Sequence, residues 1–93
     1  MKATIKINTA SPMPETFEVE IPQMVGTEKQ VEFASDIFVK IISGLCNMVA
    51  GKMGNEKVKA QYDMIVAKLS TQTSAKFWID NNGNNFQVIF KSL

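Results

Sequence analysis

The sequence contains no histidine. That removes Ser-His-Asp and Cys-His catalysis, histidine general-base chemistry and histidine metal ligation together. Arginine is absent too, and all ten basic residues are lysine. Arginine is the usual bidentate partner of phosphate and guanine, so its absence argues against sequence-specific nucleic-acid recognition. Nine acids leave a net charge of +1, which gives no strong pull toward nucleic acid or an anionic membrane. A single cysteine excludes an internal disulfide and fits a reducing compartment. No apolar run reaches the ~20 residues of a membrane span. The opening MKATIKINTA lacks the apolar run of a secretory leader. A cytoplasmic protein without a membrane segment is expected.

What is present is a chain of 93 residues, 45% hydrophobic, which predicts one globular domain over residues 1–93. Its organising stretch is Thr27 to Met53. Thr27 and Gln30 make a T-x-x-Q capping box, with Glu28 in the first turn where the helix dipole favours an acid. Val31, Ala34, Ile37, Phe38, Ile41, Ile42, Leu45, Met48 and Val49 recur at helical spacing. Glu32, Ser35, Asp36, Lys40, Ser43 and Asn47 fall mostly on the other side, and Asp36 to Lys40 is a favourable i,i+4 pair. Phe33, Val39 and Cys46 narrow that polar face, which predicts burial on more than one side. Gly44 costs about 1 kcal/mol relative to alanine in mid-helix. Close packing against another backbone is the expected reason for it, with a hinge as the alternative. An unbroken helix to Met53 would span about 40 Å, against a radius of gyration of about 12 Å for a chain this size. It therefore stops near Gly51, or it protrudes and meets a partner.

Residues 3–8 and 16–21 alternate apolar and polar, with Ala3, Ile5, Ile7, Phe17, Val19 and Ile21 facing inward. Thr9–Glu15, with Pro12 and Pro14, is the turn between them, and Lys6 lies near Glu18 or Glu20 in the hairpin. Pro22 ends the second strand. Gly51–Asn55 breaks the chain again, with Gly54 as helix terminator and Asn55 as the next N-cap. A second helix runs to about Leu69 on a stripe of Val58, Tyr62, Ile65, Val66 and Leu69, and the short link predicts a helical hairpin. Ser70–Ser74 is a polar linker. Beyond it, Asn82-Gly83 fits a two-residue hairpin turn joining strands, and Ser74 equally fits the cap of a short helix that Gly83 ends. Phe86–Lys91 reads as a strand, with Phe86, Val88 and Phe90 on one face. The expected fold is two-layer α+β. An antiparallel sheet, made of the N-terminal hairpin and a C-terminal strand or hairpin, packs against a helical hairpin.

Few residues carry chemistry. Glu18 and Glu20 share an exposed strand face, so nothing separates their pKa values for acid–base work. Cys46 sits deep in the apolar helix and reads as a buried small hydrophobe rather than a nucleophile. Asp80–Asn85 is half of a calcium loop without the later bidentate glutamate, and reads as a turn. GKMGN lacks the spacing and preceding strand of a phosphate loop. No catalytic residue, metal site or cofactor is expected. Trp78, flanked by Lys76 and Asp80, either covers the second face of the sheet or a helix end, or stands exposed, where it could stack a base or anchor a partner. The six methionines read first as core filler and second as an adaptable contact surface.

Gly26-Thr27-Glu28-Lys29-Gln30, then Phe33-Ala34 and Asp36-Ile37, then Ser74-Ala75-Lys76-Phe77-Trp78-Ile79-Asp80-Asn81 form a further pattern. Residues 25–81 resemble a small module of phage, plasmid and other mobile-element bacterial proteins, in which a G-S/T-x-K-Q-I-x-W-A-x-x-I opening precedes an A-K-x-W-I-D/E-N element. Phe33 stands where that pattern has tryptophan, and no arginine follows Asn81. The module has no established activity, so the resemblance carries over no catalytic residue. It implies a mobile-element origin, a bacterial host cytoplasm, and packing of Thr27–Ile37 against Phe77–Ile79.

These readings lead to a non-enzymatic accessory protein that binds another macromolecule, with inhibition of a host defence complex as one form. Lys29, Phe33, Lys76, Trp78 and Asp80 are the candidate partner-binding residues. The partner expected is a protein, and the Thr27–Met53 helix also suits a homodimer. Nucleic-acid binding through lysines and Trp78 is one alternative. A small-molecule or nucleotide sequestering protein, with its pocket between helical hairpin and sheet, is the other.

Overall fold

The computed structural model describes residues 2–7 and 15–92, apart from the side chains of Glu15 and Phe86. The expected turn at Thr9–Glu15 therefore lies, up to Pro14, outside the described residues, as do Met1, Asn8 and Leu93. The elements are β1 (Lys2–Ile7), β2 (Glu15–Glu20), α1 (Glu28–Val49), α2 (Glu56–Ser70), α3 (Ala75–Asp80) and α4 (Phe86–Lys91). The fold is α+β, as the patterning predicts.

β1 and β2 are antiparallel, in a register that pairs Ile5 with Phe17 and Ala3 with Val19. Alternation then sends Ile5, Ile7, Phe17 and Val19 into the core, and Lys2, Thr4, Lys6, Thr16, Glu18 and Glu20 to solvent. Lys6 faces Thr16, with Glu18 diagonal to it, and Lys2 is the residue opposite Glu20. Ile21 and Met24 continue the buried surface past the strand.

The capping box forms as read. Gln30 N donates to Thr27 Oγ1 at 3.2 Å, and Thr27 N donates to Gln30 Oε1 at 3.0 Å. The helix runs 22 residues to Val49, about 33 Å at 1.5 Å per residue, inside a molecule 40 Å long. It stops just before Gly51, whose φ of +79° lies in the left-handed region that favours glycine. Gly51, and not Gly54, is therefore the residue that turns the chain. The buried arc of α1 comprises Ala34, Ser35, Ile37, Phe38, Ile41, Ile42, Leu45 and Cys46. Ser35, expected on the polar side, is buried at no cost in hydrogen bonding because its hydroxyl donates to Val31 O at 2.8 Å. Met48, expected in the core stripe, is 54% exposed.

Asn55 caps α2, its Oδ1 accepting from Lys57 N at 2.9 Å. Tyr62 and Leu69 are buried, with Val58, Ile65 and Val66 half-buried on the expected stripe. α1 and α2 meet at Cys46 and Tyr62, whose Sγ and hydroxyl lie 3.7 Å apart, and Tyr62 also contacts Phe17 of the sheet (centroids 5.7 Å). The more extensive partner of α1, however, is α3.

The C-terminal region is helical. Ser74 Oγ accepts from Phe77 N and starts α3, which decides the ambiguous segment in favour of a short helix. Gly83 ends the following turn at φ +92°. The strand expected at Phe86–Lys91 is instead α4. Asn85 Oδ1 caps it by accepting from Val88 N at 3.0 Å. Helical geometry places Ile89 fully in the core, half-buries Phe90 and leaves Val88 exposed. A short apolar run such as FQVIF satisfies either period, and here the cap and the single deep anchor Ile89 choose the helix. Among the described residues the sheet therefore has two strands, both from the N-terminal hairpin.

Candidate functional site

The segments around Gly26 and Ala75, at the starts of α1 and α3, come together. Val25 N donates to Thr73 O at 2.7 Å and Ala75 N donates to Val25 O at 3.1 Å, forming a parallel bridge between Val25 and Ser74. Gly26 follows at once. A Cβ there would sit 3.0 Å from the Cβ of Ala75, so a side chain at position 26 would press the two helix starts apart. Behind this junction Trp78 stands edge-on to Phe38 of α1 (centroids 5.3 Å, 89°) and to Phe77 (5.4 Å, 88°). Such edge-to-face pairs suit the quadrupoles of the rings.

Trp78 is 0% exposed, and its Nε1 donates to Gln72 O at 3.0 Å. It is a core residue. Among the candidate contact residues it is thus the one the structure removes from the surface, because the 3.6-residue period turns it inward between its two exposed neighbours. Lys76 and Asp80 lie exposed on the outer side of α3. Lys29 is exposed in the first turn of α1, and Phe33, one turn on, is 47% exposed.

Phe33 begins a face that sequence spacing had not singled out. Ile37, Lys40, Ile41, Gly44 and Met48 continue it along α1. From Ile37 to Met48 it forms one wall of an open groove of about 620 Å³. The other wall is the turn into α4, from Asn82 to Asn85, with Gln87. This groove lies between α1 and the α3–α4 turn, a different place from the expected pocket between helical hairpin and sheet. Gly44 lies on the groove floor. A Cβ at that position would meet nothing within 4 Å, so the close backbone packing expected of Gly44 is not its role. It keeps the groove floor low. The signals in sequence were Gly44 itself and the NNGNN run, but nothing local says that they face each other.

Among the groove-lining residues the sole charge is Lys40. The expected Asp36–Lys40 ion pair does not form among the described residues. Ile37 and Ile41 supply an apolar floor, and Met48 an exposed apolar end. A second, smaller groove of about 480 Å³ lies between α2 and α4, beside Met64 and Phe90. There Lys68 Nζ stands 4.8 Å from the centroid of Phe90, a cation–π contact.

Tyr62 is a titratable group far from its ordinary state. Burial pushes its phenol up well beyond the usual tyrosine range, reinforced by the hydrogen bond with Cys46 and by the charges that Cys46 and Asp63 can carry. It lies in the core between α1 and the sheet. Among the described residues no three His, Cys, Asp or Glu side chains gather as a metal site would require. No described helix is long and apolar enough to cross a membrane. The arrangement can bind, through apolar surface, amides and one cation. Comparison with known proteins adds nothing to the assignment: no family model, curated protein or solved structure matches the chain.

Proposed function

We propose that the chain is a small, non-enzymatic accessory protein of a phage or other mobile element, which acts in the bacterial cytoplasm by binding another protein. The carrying observation is the α1 face from Phe33 to Met48, with an exposed apolar residue at each end and Gly44 on the floor of the groove between. Scattered single apolar residues are ordinary on a surface, whereas exposed apolar residues at the two ends of an apolar-floored groove fit an interaction site. The absence of histidine supports a binding role over a catalytic one. The mobile-element origin rests on the resemblance of residues 25–81, and inhibition of a host defence complex is one form that such binding takes. Burial of Trp78 takes away the aromatic on which the nucleic-acid alternative leaned.

The test is a photo-crosslinking amino acid at position 48, expressed in bacterial cells. One discrete protein adduct is expected, lost when Gly44→Trp fills the groove. Absence of an adduct from both position 48 and position 33, or adducts indifferent to Gly44→Trp, would overturn the reading. A second reading, sequestration of a small molecule, is favoured by the groove volume, which falls in the range of ligand sites. Thermal shifts across a nucleotide and metabolite panel test it. Self-association through α1 is compatible with either reading, and light scattering that shows a strict monomer excludes it.

A further inference from the structure

We infer that the groove receives an extended peptide segment of the partner, carrying a carboxylate that meets Lys40 and apolar side chains that meet Ile37, Ile41 and Met48. This rests on the protein-binding reading above and names the chemistry of what is bound. Three observations lead to it.

Charge comes first. The groove lining holds one cation and no carboxylate, and Lys40 is not engaged by Asp36, the acid one turn earlier. A carboxylate is the group that this wall complements. The opposite wall comes second. Among the described residues Asn82 and Gln87 make no intramolecular hydrogen bond through their side-chain amides. Asn84 uses its Nδ2 on Asn81 Oδ1, and Asn85 uses its Oδ1 on Val88 N, so the remaining oxygen of Asn84 and nitrogen of Asn85 are available. This row offers both donors and acceptors. A bound helix satisfies its own backbone and would present only side chains to the amides, whereas an extended chain presents unpaired N–H and C=O groups.

Length is the third. From Phe33 to Met48 the stripe runs about 22 Å along α1 at 1.5 Å per residue. An extended segment of about seven residues covers that span at about 3.3 Å each. The open ends at Phe33 and Met48 suit a chain that enters and leaves.

The experiment is selection of displayed random peptides of about twelve residues, long enough to span the stripe, on the full chain, with Gly44→Trp protein as counter-selection. Enriched sequences are expected to place Asp or Glu among Leu, Ile or Phe. A fluorescein-labelled synthetic copy should lose about tenfold or more in affinity on Lys40→Glu, which turns an attraction into a repulsion, and less on Lys40→Gln. Changing the peptide acid to lysine should restore binding to the Lys40→Glu protein. Far-UV circular dichroism checks that each variant is folded. No enrichment, enriched peptides without an acid, or affinity unmoved by Lys40→Glu would overturn the inference. If the position-48 adduct persists in those cases, protein binding stands and only the peptide chemistry falls. If the adduct is missing as well, both fall.

Discussion

Trp78 reports on the core from a single position, since the chain has no other tryptophan. Its emission should be blue-shifted and poorly quenched by acrylamide. Trp78→Ala removes both edge-to-face contacts and leaves Gln72 O without its donor. A loss of about 3–5 kcal/mol is expected, read by urea unfolding followed by circular dichroism. Gly26→Ala should cost about 1–3 kcal/mol, because its methyl would meet the Cβ of Ala75 at 3.0 Å and, at the same distance, the Gln30 Oε1 that closes the capping box. Tyr62 gives a pH prediction. Its phenol is raised in the fold, while the unfolded chain ionises near pH 10. The stability gained by keeping it neutral is complete below about pH 10 and is lost as pH rises past that value. Melting temperature measured between about pH 9 and 12 should fall more steeply for the natural protein than for Tyr62→Phe.

At the scale of elements, each helix begins on a side-chain cap: Thr27, Asn55, Ser74 and Asn85. Asn85→Ala should cost about 1 kcal/mol, with Asn85→Asp close to neutral, and chemical denaturation checks both. The caps also show what the sequence makes legible. Thr27 and Gln30 are three residues apart, so their reciprocal bonds can be read without knowing the fold. The same holds for Asn55, and for the alternation in β1 and β2, where one pleat face is buried. The segment after Ser74 was readable only as two alternatives. Asn85 went unread as a cap because Phe86, Val88 and Phe90 alternate, and the choice depended on Ile89 finding the core. The groove was less legible still. Gly44 and Asn82–Gln87 are far apart in the chain, and the space between them exists only after α3 has packed on α1. Trp78 lost its surface role for the same reason, since a helical period and not a strand period sets where it points.

For the whole molecule, hairpin and helices share one core, in which Phe17 touches Tyr62 and Phe38 touches Trp78. Tryptophan emission, which senses α1 and α3, and circular dichroism, which senses all four helices, should therefore report one coincident urea transition. Phe17→Ala, at the opposite end of that core, should shift both curves together by about 3–5 kcal/mol. Separate midpoints would show that the hairpin is a detachable layer. The junction at Val25 and Ser74 has a further consequence, for how the chain is threaded. It fastens two points about fifty residues apart, a closure worth roughly 3.5 kcal/mol of chain entropy. All of the backbone between them, including the turn at Gly51–Gly54, is a loop with its neck already tied. Cutting that turn would leave two halves that each carry one side of the clasp, with Phe38 on one and Trp78 on the other. Mixed as separate polypeptides, they should find each other and rebuild the tryptophan environment of the intact chain, so that the protein serves as its own split reporter.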